Sequence, residues 1–293
     1  RLHLGRSRND QVLTALRLYS LDAIDAVSKS IHGLCQALSE LAAREGNTLL
    51  PGFTHMQQAM PSSVGLWSEG YVEAFEDDDA GLQASQHRLS KNPLGSAAGY
   101  GTPGLTIDRE LTTEKLGFDQ TQLPVTAVQL SRGKAESTLL FELTLLVQDL
   151  GRLASDLLLF YTQEFAYIKL ATEVTTGSSI MPQKRNPDAL ELIRASSATS
   201  QACLEECLMI TAKLPSGYQR DLQRLKAPLF RSIDLSIECV DIMSYILKGL
   251  KFSPENIHLD KSINATRETN ELVSKEGIPF REAYRRIAER YKK

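Results

Sequence analysis

TGSSIMPQKRNPDALE, residues 176–191, decides how the rest of the chain is read. It gathers Ser178, Ser179, Lys184, Arg185 and Asn186 in a loop that opens on a glycine and runs straight into a predicted helix. Asn186 suits an N-cap, Pro187 the first helical position, and Asp188 the positive end of the helix dipole. A hydroxyl, an ammonium and a helix N-terminus converging on one spot make a site for a carboxylate. A serine hydroxyl acts as a base only where its alkoxide is stabilised. Lys184 and nearby backbone N–H groups could supply that stabilisation, and could also hold the charge that develops when a carbon acid is deprotonated beside a carboxylate. Taken bare, the same residues also fit a polar helix-capping loop at a subunit surface.

Outward from this loop the chain reads as long helices with very little strand. Upstream, residues 131–168 form the most apolar segment, with Leu139, Leu143, Leu146, Leu150, Leu153, Leu157 and Phe160 spaced four and three apart. Leu140, Leu145, Leu158 and Leu159 add apolar surface on other faces, the pattern of a helix central in a bundle or shared between subunits. From Asp10 to Glu45 the positions Ile24, Val27, Ile31, Leu34, Leu38 and Leu41 draw a second helical seam, stopped by Gly46. Residues 49–61, LLPGFTHMQQAMP, read as a loop punctuated by two prolines. A helix is predicted over 62–90, where the acidic run Glu73–Asp79 reads as a solvated face. The glycine- and proline-rich stretch 91–104 is irregular, and a short helix follows over 108–116. Downstream, helices are predicted at about 187–213 and 219–250, then shorter ones. The expectation is an all-α, long-helix bundle, with a central domain over 1–250 and the start of a small helical domain over 251–293.

In helix bundles sites form between facing helices and at helix ends. The polar stretches of this chain all fall at helix ends. LGRSRNDQV (4–12) places Arg6, Arg8, Asn9, Asp10 and Gln11 just before the first long helix. Arginine can clamp a carboxylate bidentately, and asparagine offers both a donor and an acceptor. Bare, the stretch also fits an N-terminal cap. PGFTHMQ (51–57) puts His55 in a loop beside Thr54 and Gln57, where a ligand can reach the ring and the imidazole can exchange a proton with it. LPSGYQRDLQRLK (214–226) gathers Tyr218, Gln223 and Lys226.

These blocks carry a resemblance. GSSxMPxKxNPxxxE resembles the fingerprint of the fumarase/aspartase superfamily, whose members eliminate fumarate from succinyl-containing substrates. The GRSRNDQ block, the GxTHxQ block, the MPQKRNPD form of the loop, NPLGSAAGYG (92–101) and IDRE (107–110) narrow it to the argininosuccinate lyase family. The resemblance spans nearly the whole chain, with the blocks in order. It departs at QLSRGK (129–134), where the family more commonly shows Ser-x-Arg-Asp near a substrate-binding arginine, so no role passes to Arg132. The chain also starts near the first block and stops early. The resemblance therefore implies a missing N-terminal domain and a missing end of the C-terminal one, and poor turnover without them.

The resemblance implies reversible cleavage of argininosuccinate to arginine and fumarate, the last step of arginine biosynthesis. Such an elimination needs a placed base, stabilisation of a doubly charged aci-carboxylate, and an acid for the departing nitrogen. By position, Ser178 is the base, Lys184 stabilises charge, and His55, oriented by Glu191, is the leaving-group acid or a proton relay. The sequence permits either Ser178 or His55 to take the first proton. Arg8, Asn9, Thr54 and Asn186 are assigned to the succinyl carboxylates, and Tyr218, Gln223 and Lys226 to the arginine portion because residues 214–226 resemble the family's substrate segment. No metal or organic cofactor is implied. The family builds each site from three subunits of a homotetramer. Alternatives are a sister lyase (adenylosuccinate lyase or fumarase) and a crystallin-like structural role on the same fold.

Composition bounds these readings. The 293 residues are 42% hydrophobic and 24% charged, as in globular proteins. A net charge of −3 offers no basic excess to neutralise phosphates, which argues against nucleic acid as a partner. No apolar run approaches the ~20 residues a membrane span needs. Cys35, Cys203, Cys207 and Cys239 are sparse and lack a zinc-ligand pattern, so reduced, buried thiols in the cytoplasm are expected.

Overall fold

The computed structural model describes residues 4–292. The helices are α1 (Arg8–Glu45), α2 (Val64–Leu89), α3 (Arg109–Leu116), α4 (Ala127–Ser131), α5 (Lys134–Tyr161), α6 (Asp188–Thr211), α7 (Lys226–Gly249), α8 (Ala265–Glu276) and α9 (Phe280–Arg290). Strand is confined to two-stranded ladders, of which one is longer than two residues: β1 (Leu49–Thr54) paired antiparallel with β2 (Gln57–Ser63). The all-α expectation holds.

Two compact units emerge, each assembled from non-consecutive segments. Unit 1 takes the residues up to Cys35, Glu73–Ser155 and Ala189–Ser244. Unit 2 takes Gln36–Val72, Asp156–Asp188 and the residues from Tyr245 onward.

Within unit 1 the long helices close a ring. Tyr19 of α1 meets Phe230 of α7 edge-on, with centroids 4.9 Å apart, and His32 of α1 pairs with Asp79 of α2 at 3.3 Å. Glu142 of α5 packs on Gly81 of α2. Between α5, α6 and α7 a line of small hydroxyls replaces bulk: Thr144 with Ser200 at 3.3 Å, and Ser200 with Ser232 at 3.3 Å. Small residues let helix axes approach, and each buried hydroxyl stays hydrogen-bonded. The apolar seams read from the sequence are buried here, Ile24, Val27, Ile31 and Leu34 on α1 and Leu139, Leu143, Leu146, Leu150 and Leu153 on α5.

Unit 2 is held by aromatic packing. Trp67 contacts Tyr71, Phe160 and Phe252, and Asp156 accepts from both the Trp67 indole (3.0 Å) and the Tyr71 hydroxyl (2.8 Å). The turn after α1 requires glycine. A Cβ on Gly46 would lie 2.3 Å from the Ala42 carbonyl oxygen, and the Gly65 N–H donates to the Gly46 carbonyl at 3.1 Å. Ser63 caps α2 by accepting from Leu66 N–H.

Three sequence readings are corrected. Residues 49–61 are a β-ribbon, not a loop. Both strands of a two-stranded ribbon are edges, so proline can be accommodated, and Pro51 and Pro61 lie opposite each other. Arg8 and Asn9 sit in the first turn of α1 rather than before it, because Ser7 and Asp10 cap the helix one residue ahead of them: Asn9 N–H donates to Ser7 Oγ and Ser7 N–H to Asp10 Oδ1. The acidic run on α2 is only partly solvated. Asp78 and Asp79 are half-buried, and one carboxylate oxygen of each is enclosed without a hydrogen-bond partner among the described residues.

Candidate active site

The predicted site residues fall in both units, and each group is built by its own local structure. In unit 1, Asp10 is the organiser. Its Oδ1 caps α1 through Ser7 N–H, while Oδ2 accepts from Gly95 N–H (3.0 Å) and Ala97 N–H (2.9 Å). Three backbone donors on one buried carboxylate draw the irregular 92–101 stretch onto the start of α1. Arg109 secures the other side of that stretch, donating to the carbonyls of Leu94, Asn92 and Gln122.

On this base lies a cavity of about 330 Å³ lined by Ser7, Arg8, Asn9, Tyr218, Arg220 and Gln223. Arg8 and Asn9, expected at the succinyl end, and Tyr218 and Gln223, expected at the arginine end, therefore share one cavity. The Gln223 amide donates to the Tyr218 hydroxyl at 3.0 Å. The turn carrying Tyr218 is set by Gly217, whose φ of 86° is left-handed and whose added Cβ would stand 3.0 Å from the Tyr100 hydroxyl. Lys226 opens α7 just beyond this turn, half-buried.

Two residues of this region were missed by sequence reasoning. Arg220 lines the cavity beside Arg8, which makes the lining cationic, with no carboxylate among the lining residues. Arg132 lies beneath it. Only 4% exposed, it donates from Nη1 to Asn9 Oδ1 at 2.8 Å and from Nη2 to the Leu222 carbonyl at 3.3 Å, and it stands 5.9 Å from the Tyr218 ring centre. Burial lowers its pKa, opposed by the charge of Glu136 and then by Tyr218. The departure of the 129–134 block from the family pattern hid it.

In unit 2, His55 and Met56 form the tip of the β1–β2 ribbon, both in the left-handed region with φ of 51° and 61°. A two-residue hairpin turn of type I′ asks for positive φ at both positions, which non-glycine residues adopt mainly when the surroundings hold them there. The hold is Gln58. Its Nε2 donates to the His258 carbonyl at 2.8 Å and its Oε1 accepts from Asp260 N–H at 2.9 Å, tying the ribbon to the 258–260 segment. Thr54 and His55 are exposed at the tip.

The signature loop, also in unit 2, hangs from a short ladder that pairs Thr176 with Asn186 and Gly177 with Arg185. The Thr176 hydroxyl donates to Asp188, which joins the loop stem to the start of α6. Within the loop, Ser178 Oγ accepts from Met181 N–H at 3.1 Å and more weakly from Ile180 N–H at 3.4 Å. Two backbone donors on a hydroxyl oxygen favour its anionic form. Lys184 is exposed, its main chain bonded to the Met181 carbonyl. Ile180 at the loop tip is 82% exposed. Glu191 lies on the first turn of α6, exposed, in the segment of α6 assigned to unit 1. Among the described residues no group of three or more His, Cys, Asp or Glu could hold a metal ion, and no helix is long and apolar enough to cross a membrane.

A family described as Lyase matches residues 1–201. Argininosuccinate lyase of Thermotoga neapolitana is 40% identical over 293 residues, 99% of this chain and 73% of the relative. The chain belongs to the argininosuccinate lyase family. The enzyme of that name from Sorangium cellulosum is 43% identical over 98% of this chain and 67% of its own length, and that from Bacteroides fragilis 42% identical over 98% and 64%. The chain thus spans just under two thirds of the Bacteroides fragilis relative. Among solved structures, EDDS lyase in complex with formate superposes with a TM-score of 0.89 at 27% identity, covering 98% of this chain and 57% of that one. Class II fumarase from Schistosoma mansoni superposes at 0.79 with 20% identity, covering 98% and 68%, which shows the shared fold. The long-helix architecture expected for the argininosuccinate lyase family is therefore the one observed.

Proposed function

We propose that the protein is an argininosuccinate lyase, eliminating fumarate from argininosuccinate and releasing arginine. The observation that carries the reading is the identity of 40–43% to argininosuccinate lyases over nearly the whole chain. In the proposed reaction Ser178 removes the proton on the succinyl carbon next to a carboxylate. Electrons held as the aci-carboxylate, stabilised by Lys184, then form the carbon–carbon double bond as the carbon–nitrogen bond breaks. His55, oriented by Glu191, protonates the departing guanidino nitrogen. Arg8, Asn9, Thr54 and Asn186 bind the succinyl carboxylates, and Tyr218, Gln223 and Lys226 the arginine portion. The two backbone donors on Ser178 Oγ and the cationic cavity at Arg8 support these roles. Nothing in the chemistry requires a metal or organic cofactor.

A homotetramer with sites shared between subunits completes the proposal. Phe141 and Leu145 on α5 and Leu192, Leu208 and Met209 on α6 are exposed in unit 1, and exposed apolar side chains of this kind favour association with another chain. We place the protein in the cytoplasm, and the boundary near residue 250 separates the α8–α9 pair as a small domain. The direct test is whether purified protein releases fumarate from argininosuccinate, followed by ultraviolet absorbance. Absence of fumarate from a folded oligomer, with arginine and argininosuccinate unconverted in both directions, overturns the assignment.

A further inference from the structure

We propose that Arg132 is a positioning residue that turns Asn9 into an obligate hydrogen-bond donor toward the ligand and locks the Tyr218 wall of the same cavity. The inference rests on the proposed reading of that cavity as the substrate site. A free carboxamide can present either its oxygen or its nitrogen, since the two ends are nearly alike in size. Asn9 has no such freedom. Its Oδ1 accepts from the buried Arg132 guanidinium at 2.8 Å, and one Nδ2 hydrogen goes to the Ala97 carbonyl at 3.1 Å. Turning the amide over would aim an N–H at a cation and an oxygen at a carbonyl. The second Nδ2 hydrogen is left to offer, and a donor beside Arg8 and Arg220 selects a carboxylate over a cationic group.

The same guanidinium reaches the opposite wall. Nη2 donates to the Leu222 carbonyl at 3.3 Å, in the turn between Tyr218 and Gln223, and the Tyr218 ring lies 5.9 Å from the guanidinium carbon. Two ligand-facing walls that are more than 200 residues apart in the chain are thus referenced to one rigid group. Planarity matters here. A lysine at this position keeps the charge but cannot hold both acceptors in a fixed fork.

Arg132→Lys and Arg132→Met, alone and combined with Asn9→Ala, test this through steady-state kinetics and crystal structures. For Arg132→Lys the expected result is a rise in KM for argininosuccinate of about tenfold, with a smaller fall in kcat, as one charge-assisted hydrogen bond is lost. In the Asn9→Ala background the same change should raise KM by clearly less than it does alone, because the part of its effect that passes through Asn9 is already gone and only the part through the Tyr218 wall remains. Arg132→Met should move KM further than Lys does. A KM for Arg132→Lys within about twofold of the unvaried protein, or effects that add fully to Asn9→Ala, overturns the proposal. If the unvaried protein releases no fumarate, the lyase reading falls, and the crystal structure of Arg132→Lys decides positioning alone. A turned or multiply placed Asn9 carboxamide supports it, and an unmoved Asn9 and Tyr218 overturn it.

Discussion

The Asp10 carboxylate accepts the main-chain N–H of Gly95 at 3.0 Å, joining the first turn of α1 to a segment 85 residues away. It bonds Ala97 and Ser7 by the same means, so one buried side chain caps a helix and holds the loop that supports the cavity. Asp10→Ala should therefore destabilise unit 1 by about 2–4 kcal/mol, since three backbone donors lose a charged acceptor. Denaturant midpoints would measure the loss. Amide exchange at Gly95 and Ala97 should accelerate beyond what global unfolding accounts for, and unchanged exchange there would show that the loop is held by other contacts.

Ser178→Ala removes an acceptor from two exposed backbone N–H groups, which water can satisfy, so folding should be unaffected. Turnover should fall by far more than tenfold with little change in substrate affinity. Circular dichroism and steady-state kinetics check both halves. Retention of more than about a tenth of the original kcat, a loss below ~1.4 kcal/mol, would falsify the role of Ser178 as base.

Gln58 holds the ribbon that carries His55, bridging the His258 carbonyl and the Asp260 N–H. Gln58→Ala should cost about 1 kcal/mol of stability. Its effect on kcat/KM should be larger than that stability loss, because the left-handed tip at His55 and Met56 relaxes once the clamp is gone. Exchange rates along residues 53–58 and kinetics with argininosuccinate are the readouts. Equal, small effects on both would make Gln58 an ordinary surface contact.

Sharing of sites between subunits predicts complementation. His55→Ala and Lys184→Ala proteins, unfolded and reassembled together, should regain activity that neither has alone, since some mixed sites draw both intact residues from different chains. Mixed oligomers with no activity above either parent would place the two residues of each site in one subunit.

Burial pushes the Asp78 carboxyl up to about 7, with Asp149, Asp77 and Glu142 adding to the rise. An unfolded Asp titrates near ~3.9, so between that pH and about 7 the native state holds more protons than the unfolded one, and stability falls as pH rises through the window. Asp78→Asn should flatten this dependence and raise stability at pH 8 by on the order of 1 kcal/mol, after allowing for the residual solvent screening of a half-buried group. Thermal melts from pH 4 to 8 measure it. A variant with the parent's slope would mean that Asp78 is ionised throughout.

The sequence by itself determined the helical architecture and the order of its polar blocks. The periodic apolar positions Ile24 to Leu41 and Leu139 to Phe160 bury as their spacing requires, because a helix brings residues three and four apart to one face whatever lies beyond it. It also marked Ser178, His55, Asn9 and Tyr218 as candidates, because the blocks that hold them resemble those of the argininosuccinate lyase family, while their neighbouring residues alone fitted helix caps and polar loops equally well. Local patterning misread residues 49–61, where ribbon pairing and the Gln58 bridge outweighed two prolines. What only the tertiary structure decided are the long-range partners: Arg132 beneath Asn9, Asp10 under Gly95 and Ala97, and Asp78 facing other carboxylates in a low-dielectric setting. These share one physical cause. A buried polar group is fixed by whichever donor or charge folding brings within 3 Å or so, and such encounters leave no periodicity in the chain for a sequence to display.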